Sequence, residues 1–278
     1  MRVAALQFDV RRGASATNLA RVEAGLRAAA HSGVELVVLP EMWPSGFPGP
    51  QSDLAALVAA DAASWERVAA LSRELGLAVS GSGFGAGFGA GPAGLPRNRA
   101  RLLERGACVL EHDKVHLFSP TAETESFSAG DEPLRAVELR GARVGLAVCY
   151  DLRFPELTRS AFLDGVEVLC ASAQWPLARA PHWRALVQGL AVQNQCFVVA
   201  CNRTGTDVIG RRELVLEFPG NSLVVSPHGE VLAAGRPEDA LVSADLDLAL
   251  VRELRRRVPV ERDRRPELYA RWAREGRS

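Results

Sequence analysis

The sequence predicts a layered α/β fold built on mixed sheets. Apolar runs of strand length alternate with segments whose apolar residues repeat at helical spacing, and this alternation favours sheets covered by helices. Adjacent hairpins require antiparallel pairs, so the sheets are not wholly parallel. The chain has 278 residues, of which 47% are apolar, enough for a large core. No linker-like composition interrupts it, so we expect one domain over residues 1–278.

The first third of the chain alternates strands with helices. Residues 2–9 predict a buried strand, and an amphipathic helix follows that ends at Gly33. A second strand over 35–39 leads into the loop 40–48, which is punctuated by Pro and Gly and carries one carboxylate and two large aromatics. That composition is typical of a pocket wall. Residues 53–75 have the pattern of a helix.

The next segment predicts a hairpin between two loops. After a short strand over 77–82, the glycine-rich stretch 83–96 lacks a phosphate-loop pattern and is expected to be flexible and peripheral. Strands over 99–104 and 107–113 form the hairpin. The polar loop 119–133 then follows, and loops of that length inside compact domains are often functional.

The second half repeats the alternation. Strands over 134–139 and 143–148 lead to Cys149, after which Asp151 is a candidate N-cap for a helix over 152–163. The remaining predicted elements are a strand over 166–171, a helix over 181–195, a strand over 197–201, a polar turn over 202–205, strands over 222–225, 230–234 and 240–245, a helix over 247–256, and an extended Arg-rich tail over about 258–278.

Two stretches of the chain resemble each other. Residues 33–38 (Gly-Val-Glu-Leu-Val-Val) and 165–170 (Gly-Val-Glu-Val-Leu-Cys) each follow an amphipathic helix. The similarity indicates either two structurally related halves or chance resemblance between two apolar strands.

Composition excludes several classes of partner. The formal net charge is zero, which gives no electrostatic bias toward nucleic acid or an anionic membrane. The N-terminus alternates like a strand and meets a charge too early for a signal peptide, and no apolar run reaches spanning length, so we expect a cytoplasmic protein. The five cysteines are an odd number without CxxC spacing, which indicates neither a disulfide framework nor a zinc site.

Three chemically active residues lie just beyond predicted strands: Glu41, Lys114 and Cys149. Because strand ends at one edge of an α/β sheet converge, the three can form one cluster. A thiolate attacks a carbonyl-type carbon, a carboxylate moves protons, and an ammonium balances the oxyanion of the tetrahedral intermediate. The pattern therefore predicts a site for acyl transfer. Taken singly, each residue also fits a structural role.

The segments that carry these residues resemble the three signature motifs of the nitrilase superfamily of carbon–nitrogen hydrolases. They are residues 39–41 (Leu-Pro-Glu), 113–118 (Asp-Lys-Val-His-Leu-Phe) and 148–156 (Val-Cys-Tyr-Asp-Leu-Arg-Phe-Pro-Glu), in the family's order. The resemblance covers nearly the whole chain. It implies a four-layer α-β-β-α sandwich with two mixed sheets, a homodimer or higher oligomer formed through outer helices, and no metal or organic cofactor.

Matched position by position, the resemblance implies a role for each residue. Cys149 is the nucleophile, Glu41 the general base and then acid, and Lys114 the cation at the oxyanion. The family has a second glutamate after the lysine, for which Glu123 and Glu125 compete; the distance from Lys114 favours Glu123. The backbone N–H of residue 150 is the implied oxyanion donor, which makes Tyr150 a substrate-binding residue.

The residues after the nucleophile divide the superfamily. Nitrilases have Trp-Glu-Asn there, whereas this chain has Tyr-Asp-Leu over 150–152, which disfavours nitriles and resembles the omega-amidase branch. Such enzymes hydrolyse 2-oxoglutaramate or 2-oxosuccinamate to a 2-oxo dicarboxylate and ammonia. Gln174 and Gln193 depart from the pattern, where Asn and Glu are expected, and either change can alter a hydrogen bond near the pocket.

An anionic substrate of this kind needs a cation. Arg153 and Arg179 are candidates for the carboxylate contact, although structural salt bridges are an equal alternative. Trp175 is the candidate aromatic wall. Trp43, Phe47 and Trp183 are further wall candidates, although large aromatics more often lie in the core.

His116 lies close to Lys114 in the sequence but is interpreted as a hydrogen-bonded structural histidine.

Two alternatives for the function remain open. An N-carbamoyl amidohydrolase or another aliphatic amidase would use the same catalytic residues. In a different class, the chain would be a non-catalytic binding or scaffold relative, for which the complete set of Glu41, Lys114 and Cys149 has no evident use.

Overall fold

The computed structural model describes residues 1–85, 94–209 and 213–275. Its strands are β1 (Arg2–Gln7), β2 (Leu36–Val38), β3 (Ala78–Gly85), β4 (Arg97–Glu104), β5 (Ala107–Asp113), β6 (Ala136–Leu139), β7 (Ala142–Val148), β8 (Val168–Ala173), β9 (Phe197–Asn202), β10 (Thr204–Ile209), β11 (Leu214–Pro219), β12 (Leu223–Val225), β13 (Val231–Ala234) and β14 (Ala240–Asp245). Its helices are α1 (Ser15–His31), α2 (Leu54–Leu75), α3 (Pro155–Leu163), α4 (Ala180–Asn194), α5 (Ala249–Arg257), α6 (Val260–Asp263) and α7 (Pro266–Glu275).

Two six-stranded mixed sheets form the centre of the molecule. Their strand orders are β14-β1-β2-β3-β4-β5 and β13-β12-β9-β8-β7-β6. In each sheet three neighbouring strands are parallel, β1-β2-β3 and β7-β8-β9, and the outer strands pair antiparallel. The prediction of mixed sheets is therefore confirmed.

The two sheets are built from the same unit. In the first half α1 connects β1 to β2 and α2 connects β2 to β3; in the second, α3 and α4 connect β7 to β8 and β8 to β9. The similar stretches 33–38 and 165–170 enter β2 and β8, which are the middle strands of the two parallel triplets. The halves thus share topology, and the two similar stretches occupy corresponding positions in it.

Side-chain alternation produces the four layers. On β1, Val3 and Ala5 point toward the second sheet and join its core, whereas Ala4 and Leu6 point outward and pack with Val22 and other residues of α1 and α2. On the far side, the second sheet is covered by α3 and α4. Because both faces of the central strands are buried, β2 is apolar throughout, and β8 and β9 are apolar except for Ser172 and Asn202 at their carboxyl ends. The α-β-β-α sandwich is confirmed.

Three predictions about connecting segments need correction. The polar turn 202–205 and the segment after it contribute to a further hairpin, in which β10 pairs with β11. The tail 258–278 is not extended, because α6 and α7 occupy most of it. Part of the glycine-rich stretch 83–96 belongs to β3, and its central residues 86–93 lie outside the described ranges, as do 210–212 and 276–278.

Among the described residues, no helix combines the length and hydropathy needed to cross a membrane.

A buried carboxyl lies between α2 and β3. Asp61 accepts a hydrogen bond from the Phe84 backbone N–H at 3.1 Å through Oδ2, while its buried Oδ1 has no hydrogen-bond partner within the described part of the chain. Burial raises the pKa of Asp61 from 3.8 to about 7. The folded protein therefore favours the protonated acid here.

We expect this group to make folding stability decrease with pH. Between pH 5 and pH 8 the unfolded carboxyl is already ionised, whereas the folded one must ionise in an apolar site, so stability present at low pH is lost as pH rises through about 7. The difference in unfolding free energy between Asp61→Asn and the parent should be roughly 2 kcal/mol more in favour of the variant at pH 8 than at pH 5. Urea unfolding at both pH values measures this; an unchanged difference would contradict it.

Candidate active site

Glu41 follows β2 and is almost completely buried, with 1% of its surface exposed. Its Oε1 accepts hydrogen bonds from Lys114 Nζ at 2.7 Å and from Asn98 Nδ2 at 2.9 Å. Its Oε2 accepts from the Gln174 backbone N–H at 3.0 Å. Burial raises the pKa of Glu41, and the opposing attraction of Lys114 does not cancel that effect. A carboxylate with a raised pKa is suited to accept a proton near neutral pH.

Lys114 lies directly after β5 and bridges two carboxylates. Its Nζ contacts Glu123 Oε1 at 3.0 Å and Oε2 at 2.8 Å, in addition to Glu41. Burial alone would lower the pKa of Lys114, but Glu123 and then Glu41 outweigh it and hold that pKa above its ordinary value. Lys114 is therefore a buried cation. Glu123, in the long polar loop, also accepts from the Phe118 N–H at 2.6 Å, whereas Glu125 is exposed.

Cys149 directly follows β7 and has a backbone φ of 43°, in the left-handed region that non-glycine residues rarely adopt. Such a conformation costs of order 1–3 kcal/mol and persists where surrounding structure imposes it, commonly at active sites. The thiol lies within hydrogen-bonding reach of Glu41 and 3.9 Å from the Gln174 carbonyl oxygen. Burial, and then the charge of Glu41, raise the pKa of Cys149 well above its ordinary value. The thiol is therefore protonated at neutral pH and needs a base.

Asp151 fixes the turn after Cys149 and does not cap the following helix. The segment Cys149–Arg153 is a 3₁₀ turn, and α3 begins at Pro155. The fully buried carboxylate of Asp151 contacts His112 Nε2 at 3.3 Å and accepts from the His116 backbone N–H and Nδ1, both at 2.9 Å. The His116 ring also stacks on Phe154. The structural interpretation of His116 agrees with these contacts.

A cavity opens onto these groups. It is lined by Glu41, Phe47, Lys114, Phe118, Thr121, Glu123, Cys149, Tyr150, Arg153, Gln174, Trp175, Pro176, Arg179, Ile209, Leu216 and Phe218. All eight predicted site residues are in this lining. Trp43 and Trp183 are not; they are buried in the core, which is the favoured of the two roles, and the alternative of a pocket wall is wrong for both. Gln193 is exposed on α4 and lies outside the lining, so its expected effect near the pocket is also wrong.

Two groups of residues that line or support the cavity were not predicted from the sequence. Asn98 hydrogen-bonds both Glu41 and Glu123, and hairpin register places it beside Lys114, whose N–H bonds the Asn98 carbonyl. Extending the predicted hairpin by one residue would have found it. The hairpin β10–β11 contributes apolar walls at Ile209 and Phe218. These strands were not predicted, because the segment before them has the composition of a polar turn.

Within the described ranges, no group of three or more His, Cys, Asp or Glu side chains is arranged to hold a metal ion.

Residues 2–256 match the family described as carbon-nitrogen hydrolase. The chain belongs to the carbon–nitrogen hydrolase family. This match includes every strand and the whole cavity lining. The nitrilase-superfamily resemblance of the three motifs is confirmed, and the protein is an enzyme of the hydrolase class.

Several curated relatives of this carbon–nitrogen hydrolase are named amidases. It is 35% identical over 269 residues to the 2-oxoglutaramate amidase of Bacillus subtilis (strain 168), covering 96% of this chain and 98% of the relative. It is 34% identical to omega-amidase YafV of Escherichia coli (strain K12), covering 84% and 85%. A solved amidase variant from Nesterenkonia sp. AN1 has a TM-score of 0.82 at 26% identity over 98% of this chain and 97% of that one, and carries the acetamide moiety of fluoroacetamide covalently at its active-site cysteine.

The geometry predicts how Glu41 controls the thiol of this hydrolase. Alkylation of Cys149 by iodoacetamide should accelerate with pH to a midpoint above that of an ordinary cysteine, because burial and the Glu41 charge disfavour the thiolate. Glu41→Gln removes that charge and retains Lys114, so the midpoint should move to lower pH. Mass spectrometry of the Cys149 peptide separates this thiol from the exposed Cys108.

Glu125→Gln, at an exposed glutamate outside the cavity, is the matched control and should leave the midpoint unchanged. A midpoint that rises in Glu41→Gln, or stays where it is, would contradict the proximity of the two groups.

Proposed function

We propose that this hydrolase cleaves the terminal carboxamide of a small 2-oxo dicarboxylic acid monoamide, 2-oxoglutaramate or 2-oxosuccinamate, through a thioester on Cys149. The products are the 2-oxo dicarboxylate and ammonia. The names of the relatives and the arrangement of Glu41, Lys114, Glu123 and Cys149 support amide hydrolysis. The substrate class rests on one further observation, at the mouth of the cavity.

That observation is a pair of arginines without carboxylate partners. Arg153 and Arg179 both line the cavity, and neither forms a salt bridge with any residue of the described ranges. The Arg153 guanidinium carbon lies 4.8 Å from the centroid of the Trp175 ring, and that of Arg179 lies 5.3 Å from Phe118. Stacking, together with the contact of Arg153 Nη2 with His182 Nδ1 at 3.1 Å, holds the guanidinium groups in place. Their other N–H groups stay available for a substrate carboxylate.

The inner end of the cavity suits the amide. Two carboxylates around one ammonium leave an excess negative charge there, which would repel an anionic tail and direct it toward the arginines. An uncharged carboxamide can enter between Cys149 and Lys114. A substrate with an amide at one end and a carboxylate at the other therefore matches the charge distribution along the cavity.

In the acylation step, Glu41 takes the proton from the Cys149 thiol as sulfur attacks the amide carbon. A C–S bond forms, and the carbonyl oxygen becomes an oxyanion that Lys114 and the Tyr150 backbone N–H stabilise. Collapse breaks the C–N bond, and Glu41 transfers the proton to the departing nitrogen, which leaves as ammonia. The thioester remains on Cys149.

In the deacylation step, a water molecule gives a proton to Glu41 as the water oxygen attacks the thioester carbon. Collapse of the second tetrahedral intermediate breaks the C–S bond, the proton returns to sulfur, and the carboxylic acid product leaves. Glu123 keeps Lys114 charged and directed at the oxyanion throughout, which is the part we propose for the second glutamate.

Catalysis should depend on the nucleophile and the base. We expect Cys149→Ala to abolish ammonia release, and Glu41→Gln to lower kcat by about 10²–10⁴-fold. An unchanged rate in Cys149→Ala, with the parent active on the same amide, would contradict the thioester mechanism. Absence of activity in the parent on every amide would favour the non-catalytic alternative.

The arginines should control substrate choice. Arg153→Gln and Arg179→Gln should each raise KM for 2-oxoglutaramate by about 10- to 100-fold, the value of a charge-assisted hydrogen bond. The rate with butyramide, which has no carboxylate, should change little. Arg184→Gln, at an exposed position of α4 outside the lining, is the matched control. Equal losses with both substrates would contradict carboxylate binding.

A panel of amides and ureido compounds compares this proposal with the alternative of an N-carbamoyl amidohydrolase, whose substrates also carry a carboxylate that the two arginines could bind. We expect kcat/KM for 2-oxoglutaramate or 2-oxosuccinamate to exceed that for N-carbamoyl amino acids, with ammonia as the readout. The reverse order would make the N-carbamoyl compounds the substrates.

We further propose a single-domain cytoplasmic protein that forms a homodimer. The five cysteines form no disulfide, which agrees with a reducing compartment. Leu163 on α3 and Val192 on α4 are exposed apolar residues on the outer helices, and Trp272 on α7 is 53% exposed. These residues would be buried in a dimer, which light scattering of the purified protein can test.

A further inference from the structure

The residue that connects Glu41 with Cys149 is Gln174, which directly follows β8. Its backbone N–H donates to Glu41 Oε2 at 3.0 Å, and its side-chain Nε2 donates to the Glu41 carbonyl oxygen at 2.8 Å. Its own carbonyl oxygen lies 3.9 Å from Cys149 Sγ. Gln174 therefore contacts the proposed base through main chain and side chain, and the proposed nucleophile as well.

The side chain of Gln174 is in turn held by a buried arginine. Arg203, between β9 and β10, has no exposed surface, and its Nη1 donates to Gln174 Oε1 at 3.1 Å. Two carboxylates fix the guanidinium, Asp207 at 3.0 Å and Asp9 at 3.1 Å, and its Nε donates to the Thr204 carbonyl oxygen. The planar fork is fully engaged and pre-organised.

Arg203 does not line the cavity, so it has no evident role in contacting substrate. Phe218, whose ring centroid lies 4.6 Å from the guanidinium carbon, and Gln174 separate it from the cavity that both of them line. A buried charged side chain is retained at a cost in desolvation, which two carboxylates offset here. A paired arginine that donates to the amide contacting Glu41 is suited to holding that amide in one orientation.

We propose that Arg203 is a positioning residue that acts through Gln174 to hold the carboxylate of Glu41 against the thiol of Cys149. The inference rests on the proposed amidase chemistry for its kinetic readout. The titratable groups that face Glu41 are Lys114, Glu123 and Cys149. On the Oε2 atom of Glu41, the hydrogen bond from the Gln174 backbone N–H favours the carboxylate form.

Two substitutions at residue 174 test the connection. Gln174→Met keeps the side-chain length and removes both amide hydrogen bonds. Gln174→Asn introduces the residue that the family pattern has at this position, and it keeps an amide on a side chain that is one methylene shorter. We expect kcat of Gln174→Met to fall by about 10²-fold, the effect of a displacement near 1 Å, and that of Gln174→Asn to fall less, with KM changing less than about 3-fold in both. The acidic limb of the pH profile of kcat/KM should move to higher pH, because the Glu41 carboxylate is held less well by its hydrogen bond.

Arg203→Lys tests the origin of the effect. It keeps the charge but loses the fork that contacts Gln174 and both aspartates, so it should shift the acidic limb in the same direction. In the double variant with Gln174→Met the losses should not add, since Arg203 acts through Gln174. Gln188→Met and Arg255→Lys, whose side chains hydrogen-bond backbone carbonyls outside the cavity lining, are matched controls for lost stability.

The outcomes are distinct. Losses of melting temperature equal to those of the controls, with kcat and the acidic limb unchanged, would overturn the positioning role. If Arg203→Lys fails to fold, the two substitutions at residue 174 still decide it. If the parent hydrolyses no amide, that result overturns only the proposed function, and the pH profile of Cys149 alkylation by iodoacetamide replaces turnover as the readout. An alkylation profile that is the same in Gln174→Met and the parent then overturns the inference.

Discussion

The buried contact of Lys114 with two carboxylates is the constraint on which the site depends. An ammonium with 1% of its side chain exposed is tolerated only because Glu41 and Glu123 lie at 2.7 and 2.8 Å. Removing one partner of a buried pair typically costs about 3–5 kcal/mol, since an uncompensated charge stays behind. The three segments that carry these groups are therefore fixed relative to one another, and the cavity is organised in advance of substrate binding.

The two-sheet architecture makes that cluster possible. Glu41 follows β2 of one sheet, and Gln174 follows β8, its counterpart in the other. The sheets face each other closely enough for the Glu41 N–H to bond the Ala173 carbonyl, and for Ser172 Oγ to bond the Leu39 carbonyl. Glu41 and Cys149, the proposed base and nucleophile, thus come from different copies of the repeated unit, and the proposed chemistry lies where the two copies meet.

Electrostatics divides the cavity into two ends with different tasks. The inner end holds an excess negative charge and a thiol whose pKa is raised, so reaction there requires proton transfer to a nearby base. The outer end presents Arg153 and Arg179 against aromatic rings. The uncharged amide and the anionic tail of the proposed substrate would thereby be separated along one cavity. The hairpin β10–β11 supplies apolar walls of this cavity.

The sequence by itself determined the layered mixed α/β fold, most strands and helices, and the chemical identity of Glu41, Lys114 and Cys149, because periodicity and short motifs are local properties of the chain. It did not determine which partner each polar group would find. The contacts of Asn98, the network from Arg203 through Gln174, the hairpin after β9, and the core positions of Trp43 and Trp183 join residues far apart in the chain. Only packing of the two sheets decided these, since a buried polar atom or aromatic ring is satisfied by whatever tertiary neighbour reaches it.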